Sequence, residues 1–271
     1  MLAAIRELLA KEGIRLSAPI LLRDCRICRG YLLDRVGICD GTAIMLAVPY
    51  VPEPYERRNL SAYAAVRDYH LYFHELYDRI LTILRVRFPT HRFAGFSDHS
   101  PIDEIDAALR AGLGVRGDHG LLLTEDYSSY VFLGELITDA ILPTVTVTPG
   151  ECLHCGACRR ACPVSLDKSR CLSALTQKKG ALTEDEERLL DSHPLVWGCD
   201  TCQEACPYTH KAARRGTLYE VPPFFRTDVL PYLTAEQVEQ MGKETFERRA
   251  YAWRGPAVIL RNLKKKDSDH I

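Results

Sequence analysis

The chain has 271 residues, 46% hydrophobic and 26% charged, with a formal net charge of -1. That balance excludes a global pull toward nucleic acid or anionic lipid, so any phosphate contact falls to local basic patches. No uncharged apolar run reaches the roughly 18 residues of a membrane span, and Arg6, Glu7, Lys11 and Glu12 interrupt the opening MLAAIRELLAKEG, unlike a secretory h-region. A soluble, cytoplasmic protein with no membrane association is expected.

In chain order, residues 1–40 read as a helix, a short apolar strand (Pro19–Leu22) and a cysteine-bearing loop. Ala43–Tyr50 is a buried strand ended by Pro49, Pro52 and Pro54. Residues 61–86 lack Pro and Gly and are amphipathic, which predicts one long helix with Ser61 near its N-cap. Ser100-Pro101-Ile102-Asp103 carries N-cap, N1-proline and acidic signals, so a second helix should run to about Ala111 and end at Gly112 and Gly114. Leu121–Leu123, Tyr130–Leu133 and the β-branched Thr144–Thr148 are strand candidates. This order argues an α+β class: a mixed α/β body over 1–150, a ferredoxin-like two-cluster domain over 151–210, and a polar, partly helical extension over 211–271 packed on the body.

Eleven cysteines are many for a reducing compartment, and eight of them lie between 152 and 206. They form Cys152-x2-Cys155-x2-Cys158-x3-Cys162-Pro163, then Cys171, then Cys199-x2-Cys202-x3-Cys206-Pro207. The x2 spacing lets one loop curl around a cubane, present three thiolates to three irons and aim backbone N–H groups at the sulfides. In two-cluster ferredoxins the cysteine before proline ligates the other cluster. Applied here, one [4Fe–4S] cluster takes Cys152, Cys155, Cys158 and Cys206, and the other takes Cys162, Cys171, Cys199 and Cys202. Zinc fits poorly because C-x2-C-x2-C crowds three thiolates, and disulfides at this spacing would be strained. Cys25, Cys28 and Cys39 read as buried or incidental thiols.

A ferredoxin needs only about 60 residues around its clusters, yet a domain's length precedes Cys152. No G-x-G-x-x-G dinucleotide loop and no Walker A loop is read in the body, so NAD and ATP are not expected; a flavin stays open. RDYH (Arg67–His70), FSDHSP (Phe96–Pro101), AALRAGLG (Ala107–Gly114), YVFLGELITD (Tyr130–Asp139), CGACRRACP (Cys155–Pro163), LDKSRCLSALTQKKG (Leu166–Gly180) and WGCDTCQEACPY (Trp197–Tyr208) together resemble the epoxyqueuosine reductase family, cobalamin-dependent iron–sulfur enzymes of queuosine biosynthesis. The likeness runs from about residue 41 to 263.

The resemblance implies a cobalamin held by the body beside one cluster and electrons delivered from an external donor such as ferredoxin or flavodoxin. The substrate would be tRNA carrying epoxyqueuosine, or a queuosine precursor. The departing epoxide oxygen needs a general acid, and Asp98 occupies the family's F-x-D-x-x-P position for it. Tyr69, His70, His119 and Tyr130 are the expected cofactor contacts. Where the family usually has Gly-Lys-Asn, this chain has Gly117-Asp118-His119, and the Cys162–Cys171 stretch is shorter than the family's. A short form without the C-terminal helical-repeat domain is expected, which leaves Arg57-Arg58, Arg214-Arg215, Arg248-Arg249 and Lys264–Lys266 as basic candidates for phosphate contact. The competing functions are a corrinoid reductase of a small molecule, akin to reductive dehalogenases, and a two-cluster electron carrier.

Overall fold

The computed structural model describes residues 1–268. The body holds helices α1 (Leu2–Lys11), α2 (Gly30–Val36), α3 (Ala62–Ala65), α4 (Tyr69–Arg87) and α5 (Glu104–Arg110). Its strands are β1 (Leu16–Leu21), β2 (Thr42–Pro49), β3 (Phe93–Phe96) and β6 (Val131–Thr138), which form one antiparallel sheet in the order β1-β2-β6-β3. Strands β4 (Val115–Arg116), β5 (Leu122–Leu123) and β7 (Gly150–Glu151) form a second, small sheet.

Strand β2 is buried along its whole length because both faces of the sheet are covered. Side chains alternate across a strand: Ile44, Leu46 and Val48 pack with Ile5, Leu9, Phe73, Leu76 and Ile80 from α1 and α4. Ala43, Met45 and Ala47 pack on the other face with Leu33 of α2 and Ala107, Ala108 and Leu109 of α5. Each fully buried large side chain contributes roughly 2 kcal/mol. Gly134 lets α4 approach β6, since a Cβ there would stand 2.5 Å from the Phe73 ring. The fold is α+β, with a mixed α/β body as expected.

Four local expectations are corrected. The long helix predicted over 61–86 is two. Between α3 and α4, Arg67 bridges Arg249 and the Asp68 N–H donates to the Arg248 carbonyl (2.9 Å), so tertiary pairing interrupts the helix. Asp68 then restarts it by capping the His70 N–H at 2.8 Å. Asp103, not Ser100, caps α5, because the Ser100 hydroxyl is drawn inward to Glu135. The Tyr130–Leu133 candidate overlaps the start of the eight-residue central strand β6, which begins at Val131 and runs on to Thr138. Thr144–Thr148 is not a strand: Val145 is 75% exposed, and Val147 reaches the body through one bond, its N–H to the Arg110 carbonyl. Gly112–Gly117 spells G-x-G-x-x-G but leads from helix α5 to strand β4, the reverse of a dinucleotide loop.

Downstream lie α6 (Ala157–Ala161), α7 (Leu172–Thr176), α8 (Glu184–Asp191), α9 (Thr201–Glu204) and α10 (Pro207–Arg215), then α11 (Ala235–Gln240), α12 (Lys243–Glu247) and α13 (Pro256–Ser268). Leu218, Val221 and Phe225 complete the core around α1 and α4. Trp197, Leu233, Tyr251 and Ile259 enclose Leu60 and Ala64, so the region before Cys199 and the C-terminal helices share one apolar cluster with α3. Among the described residues no helix is long and apolar enough to cross a membrane.

Candidate metal centres and active site

Two cavities organise the cysteine segment. One, of about 320 Å³, is lined by Cys152, Cys155, Cys158 and Cys206. The other, of about 490 Å³, is lined by Cys162, Cys171, Cys199 and Cys202. Each residue before a Cys-Pro proline therefore faces the opposite group. Helix geometry explains the crossing. Gly156, with φ +71°, starts α6, which buries Cys158 and ends at Cys162, beyond the first cavity. Helices α6 and α9 pack together, and Cys206 stands at the N-cap of α10, with Pro207 inside its first turn.

The electrostatics report the same neighbourhoods. Burial, then the neighbouring Cys199, Cys162 and Cys171, pushes the Cys202 thiol up to about 12. Burial also raises Cys206, with smaller contributions from Cys155 and Cys152. Four sulfurs so crowded cannot all ionise unless cations sit between them, which is the chemistry a ferric–ferrous cluster provides.

Strand pairing aims the first ligand. Parallel pairing of β7 with β4 (Gly150 to Val115, Glu151 to Arg116) and the Cys152 N–H on the Arg116 carbonyl (3.0 Å) set Cys152 beside the β4–β5 turn. His119 in that turn lines both cavities. A buried polar network joins this segment to the body. Asp200, 1% exposed, pairs with Arg58 and accepts the Ala62 N–H at 2.7 Å. Ser128 and Ser129 bond to Thr209 (2.8 Å) and Gln203 (2.9 Å). Arg58 and Asp200 were not legible as partners, because 142 residues separate them.

Asp98 follows β3 with φ +60°, a left-handed conformation that costs a non-glycine residue about 1 kcal/mol or more. Its exposed carboxylate Oδ2 lies 3.6 Å from His70 Nε2, and His70 Nδ1 lies 2.8 Å from Asp68 Oδ1. The Asp68 hydrogen bond, and more weakly the Asp98 charge, hold the His70 pKa above its ordinary value. Tyr69 is sandwiched between Phe132 (ring centroids 4.5 Å, 15°) and His70 (4.1 Å). The structure thus brings Asp98, His70 and Tyr69 together.

Tyr130 is elsewhere. It is 5% exposed, edge-on to Tyr50, with its hydroxyl in electrostatic reach of Asp200 and Arg58. In the structure Tyr130 is part of the body's core. Cys25 donates to the Leu21 carbonyl, and burial pushes its thiol up to about 12, while Cys28 and Cys39 are exposed.

Two carboxyls behind Asp98 escaped the sequence reading. The Asp98 N–H donates to Glu104 Oε1 (3.1 Å), and burial raises the Glu104 carboxyl to about 7. Glu135, fully buried on β6, accepts the Ser100 hydroxyl at 2.5 Å, and burial, then the Glu104 charge, lifts it well above the carboxylate range. Its second oxygen meets no N–H or O–H donor. The one available signal was a lone acid in an apolar strand.

Most of the basic candidates are occupied within the chain. Arg58 binds Asp200 and Glu204, Arg215 binds Glu125, Arg248 binds Glu244, and Arg249 is buried on the Asp228 carbonyl. Arg57 instead stacks over Tyr232 at the rim of a cleft of about 1070 Å³ that also includes His193 and Lys266.

Residues 151–209 match the 4Fe-4S double cluster binding domain. The epoxyqueuosine reductase of Listeria monocytogenes is 34% identical over 204 residues, 72% of this chain and 53% of that one. The epoxyqueuosine reductase of Cyclobacterium marinum is 31% identical over 236 residues, 80% of this chain and 72% of that one. The chain belongs to the epoxyqueuosine reductase family. With the double-cluster match, that membership gives it two [4Fe–4S] clusters. The fold agrees: the epoxyqueuosine reductase structure from Streptococcus thermophilus superposes with a TM-score of 0.77 at 21% identity, covering 100% of this chain and 81% of that one. Another epoxyqueuosine reductase, solved with an epoxyqueuosine-modified tRNA-Tyr stem loop, gives 0.75 at 20% identity over 97% and 80% of the chains. This epoxyqueuosine reductase relative spans about half the length of the Listeria protein.

Proposed function

We propose that the chain reduces the epoxide of epoxyqueuosine in tRNA to the alkene of queuosine, with electrons from a donor such as ferredoxin or flavodoxin passing through its two clusters. In this reading Cys152, Cys155, Cys158 and Cys206 hold one cluster, and Cys162, Cys171, Cys199 and Cys202 hold the other. The observation that carries it is the sorting of eight sulfurs into two cavities of four, each taking its fourth cysteine from across the segment. The polar network from Arg58 to Asp200 supports it by fixing the cysteine segment against the body. For the substrate, the support is the relative solved with a modified tRNA stem loop.

Removing an epoxide oxygen consumes two electrons and two protons and releases water. When bound, the clusters would supply single electrons and the family's cobalamin a reduced cobalt centre. The exposed side of the Asp98–His70 pair would face such a macrocycle, with Tyr69 stacked behind the His70 ring. The protein's own part is the proton. His70, whose pKa is raised chiefly by its hydrogen bond to Asp68, relays a proton to Asp98, which hands it to the departing oxygen; the 3.6 Å separation is of the kind that shortens when substrate closes the site. Glu104 keeps the Asp98 backbone in place through its N–H.

The test is direct. Anaerobically purified protein should carry about eight irons per chain, perturb the spectrum of added cob(II)alamin, and convert an epoxyqueuosine-modified stem loop to queuosine with reduced flavodoxin, read by nucleoside mass spectrometry. Far fewer irons would overturn the ligand assignment. Full iron without conversion would leave the two-cluster carrier and remove the reductase.

A further inference from the structure

Among the described residues, His119 is the one imidazole that lines both cysteine cavities. Its tautomer is set by its own turn. The Leu121 N–H donates to Nδ1 at 3.2 Å, so Nδ1 is an acceptor and the ring proton of the neutral form belongs to Nε2. Nε2 is buried and meets no partner in the protein. A buried donor left unmade costs roughly 1–3 kcal/mol, so such a group calls for an acceptor.

The ring is placed deliberately. It packs over Gly117, where a Cβ would come within 2.6 Å of its Cε1. The Gly117 N–H to Leu121 carbonyl and Gly120 N–H to Gly117 carbonyl bonds (3.0 and 2.8 Å) close the turn beneath it. The neighbouring imidazole, His154, has both nitrogens engaged, by Asp118 (2.7 Å) and Glu151 (3.0 Å), and is not available for the same task. The remaining lining of the two cavities is mostly cysteine sulfur and apolar side chains, and its two carboxylates are engaged elsewhere, Asp118 by His154 and Asp167 by Ser169, so the acceptors left for Nε2 are the sulfurs of a bound cluster.

We propose that His119 Nε2–H donates a hydrogen bond to a sulfur of one of the two iron–sulfur clusters, at the seam between them, and raises that cluster's potential relative to an apolar neighbour. This rests on the cluster assignment above. A donor aimed at sulfur stabilises the reduced, more negative cluster, so hydrogen bonding is one of the levers that set such potentials. His119 is thus a positioning residue for electron flow and touches no substrate.

The test uses the full chain purified anaerobically. In wild-type protein labelled with ¹⁵N-histidine, pulsed EPR of the reduced clusters should show a histidine nitrogen coupling and an exchangeable proton coupling. His119→Leu should abolish both. It should also shift one cluster's midpoint to more negative values by about a tenfold change in the reduction equilibrium, or about 59 mV for one electron. His119→Gln, which keeps an N–H, should recover part of the shift. Absence of the histidine coupling from wild type overturns the inference even if both variants fail to load iron. Unchanged potentials in His119→Leu at full iron content overturn it while leaving the proposed function standing. Wild type without clusters removes both.

Discussion

Asp98 stands in backbone space that L-residues avoid, and it presents an exposed carboxylate from there. Strain kept at one acid of a loop has a use if it aims that acid. Asp98→Asn should lower turnover of the modified stem loop by 100-fold or more at unchanged iron content, measured by nucleoside analysis; unaltered turnover would remove Asp98 from the reaction. Glu104 makes a different prediction. Its folded pKa, about 7, is raised above the ordinary 4.5, so the folded chain binds the proton more tightly than the unfolded chain. The favourable state is fully present below pH 4.5 and is lost as pH rises through 7. Glu104→Gln keeps an acceptor for the Asp98 N–H but has no charge to bury. Relative to wild type it should gain on the order of 3 kcal/mol between pH 4.5 and 8. Urea unfolding at the two pH values measures this, and a difference that does not change with pH would refute the raised Glu104 pKa.

At the scale of elements, what was legible followed how local the cause is. The buried β2 and the start of α1 are written in short-range hydrophobic pattern, and both appear in the structure. The break at Val66–Asp68 is not, because the chain that imposes it lies at Arg248 and Arg249. The same holds for Ser100, whose capping signal was outcompeted by a carboxyl on a strand 35 residues away. The cysteine spacing was readable because one loop and one helix set it. The carboxyl pair was not, since Glu104 and Glu135 meet only through the sheet. Asp68→Ala, which removes the α4 cap and the His70 anchor, should cost about 1 kcal/mol and return the His70 pKa toward its ordinary value, followed by NMR titration; an unshifted His70 would show that the cap does not tune it.

For the molecule as a whole, the join between the two halves is polar and buried, so it resists partial loss. Asp200→Ala leaves Arg58 half-satisfied and the Ala62 N–H without its acceptor. Breaking one side of a buried pair typically costs about 3–5 kcal/mol, so thermal unfolding should begin well below wild type, with the cysteine segment exposed to protease first. Removal of iron by a chelator should act on the same region: circular dichroism should lose part of its helical signal, while the near-ultraviolet signal of the aromatic cluster around Phe73 and Phe225 remains. Simultaneous loss of both would mean that the body depends on metal as well.

The crossing of the two cysteine groups also sets an order of events during synthesis. Neither cavity can gather four sulfurs from a nascent chain that stops before residue 199, because the second needs Cys199 and Cys202 and the first waits for Cys206. The body's central strand has by then left the ribosome. Iron delivery is thereby postponed until a folded partner surface exists to receive the finished cages, and a chain cut short at residue 198 would carry five of the eight thiols with no complete place to put a cubane.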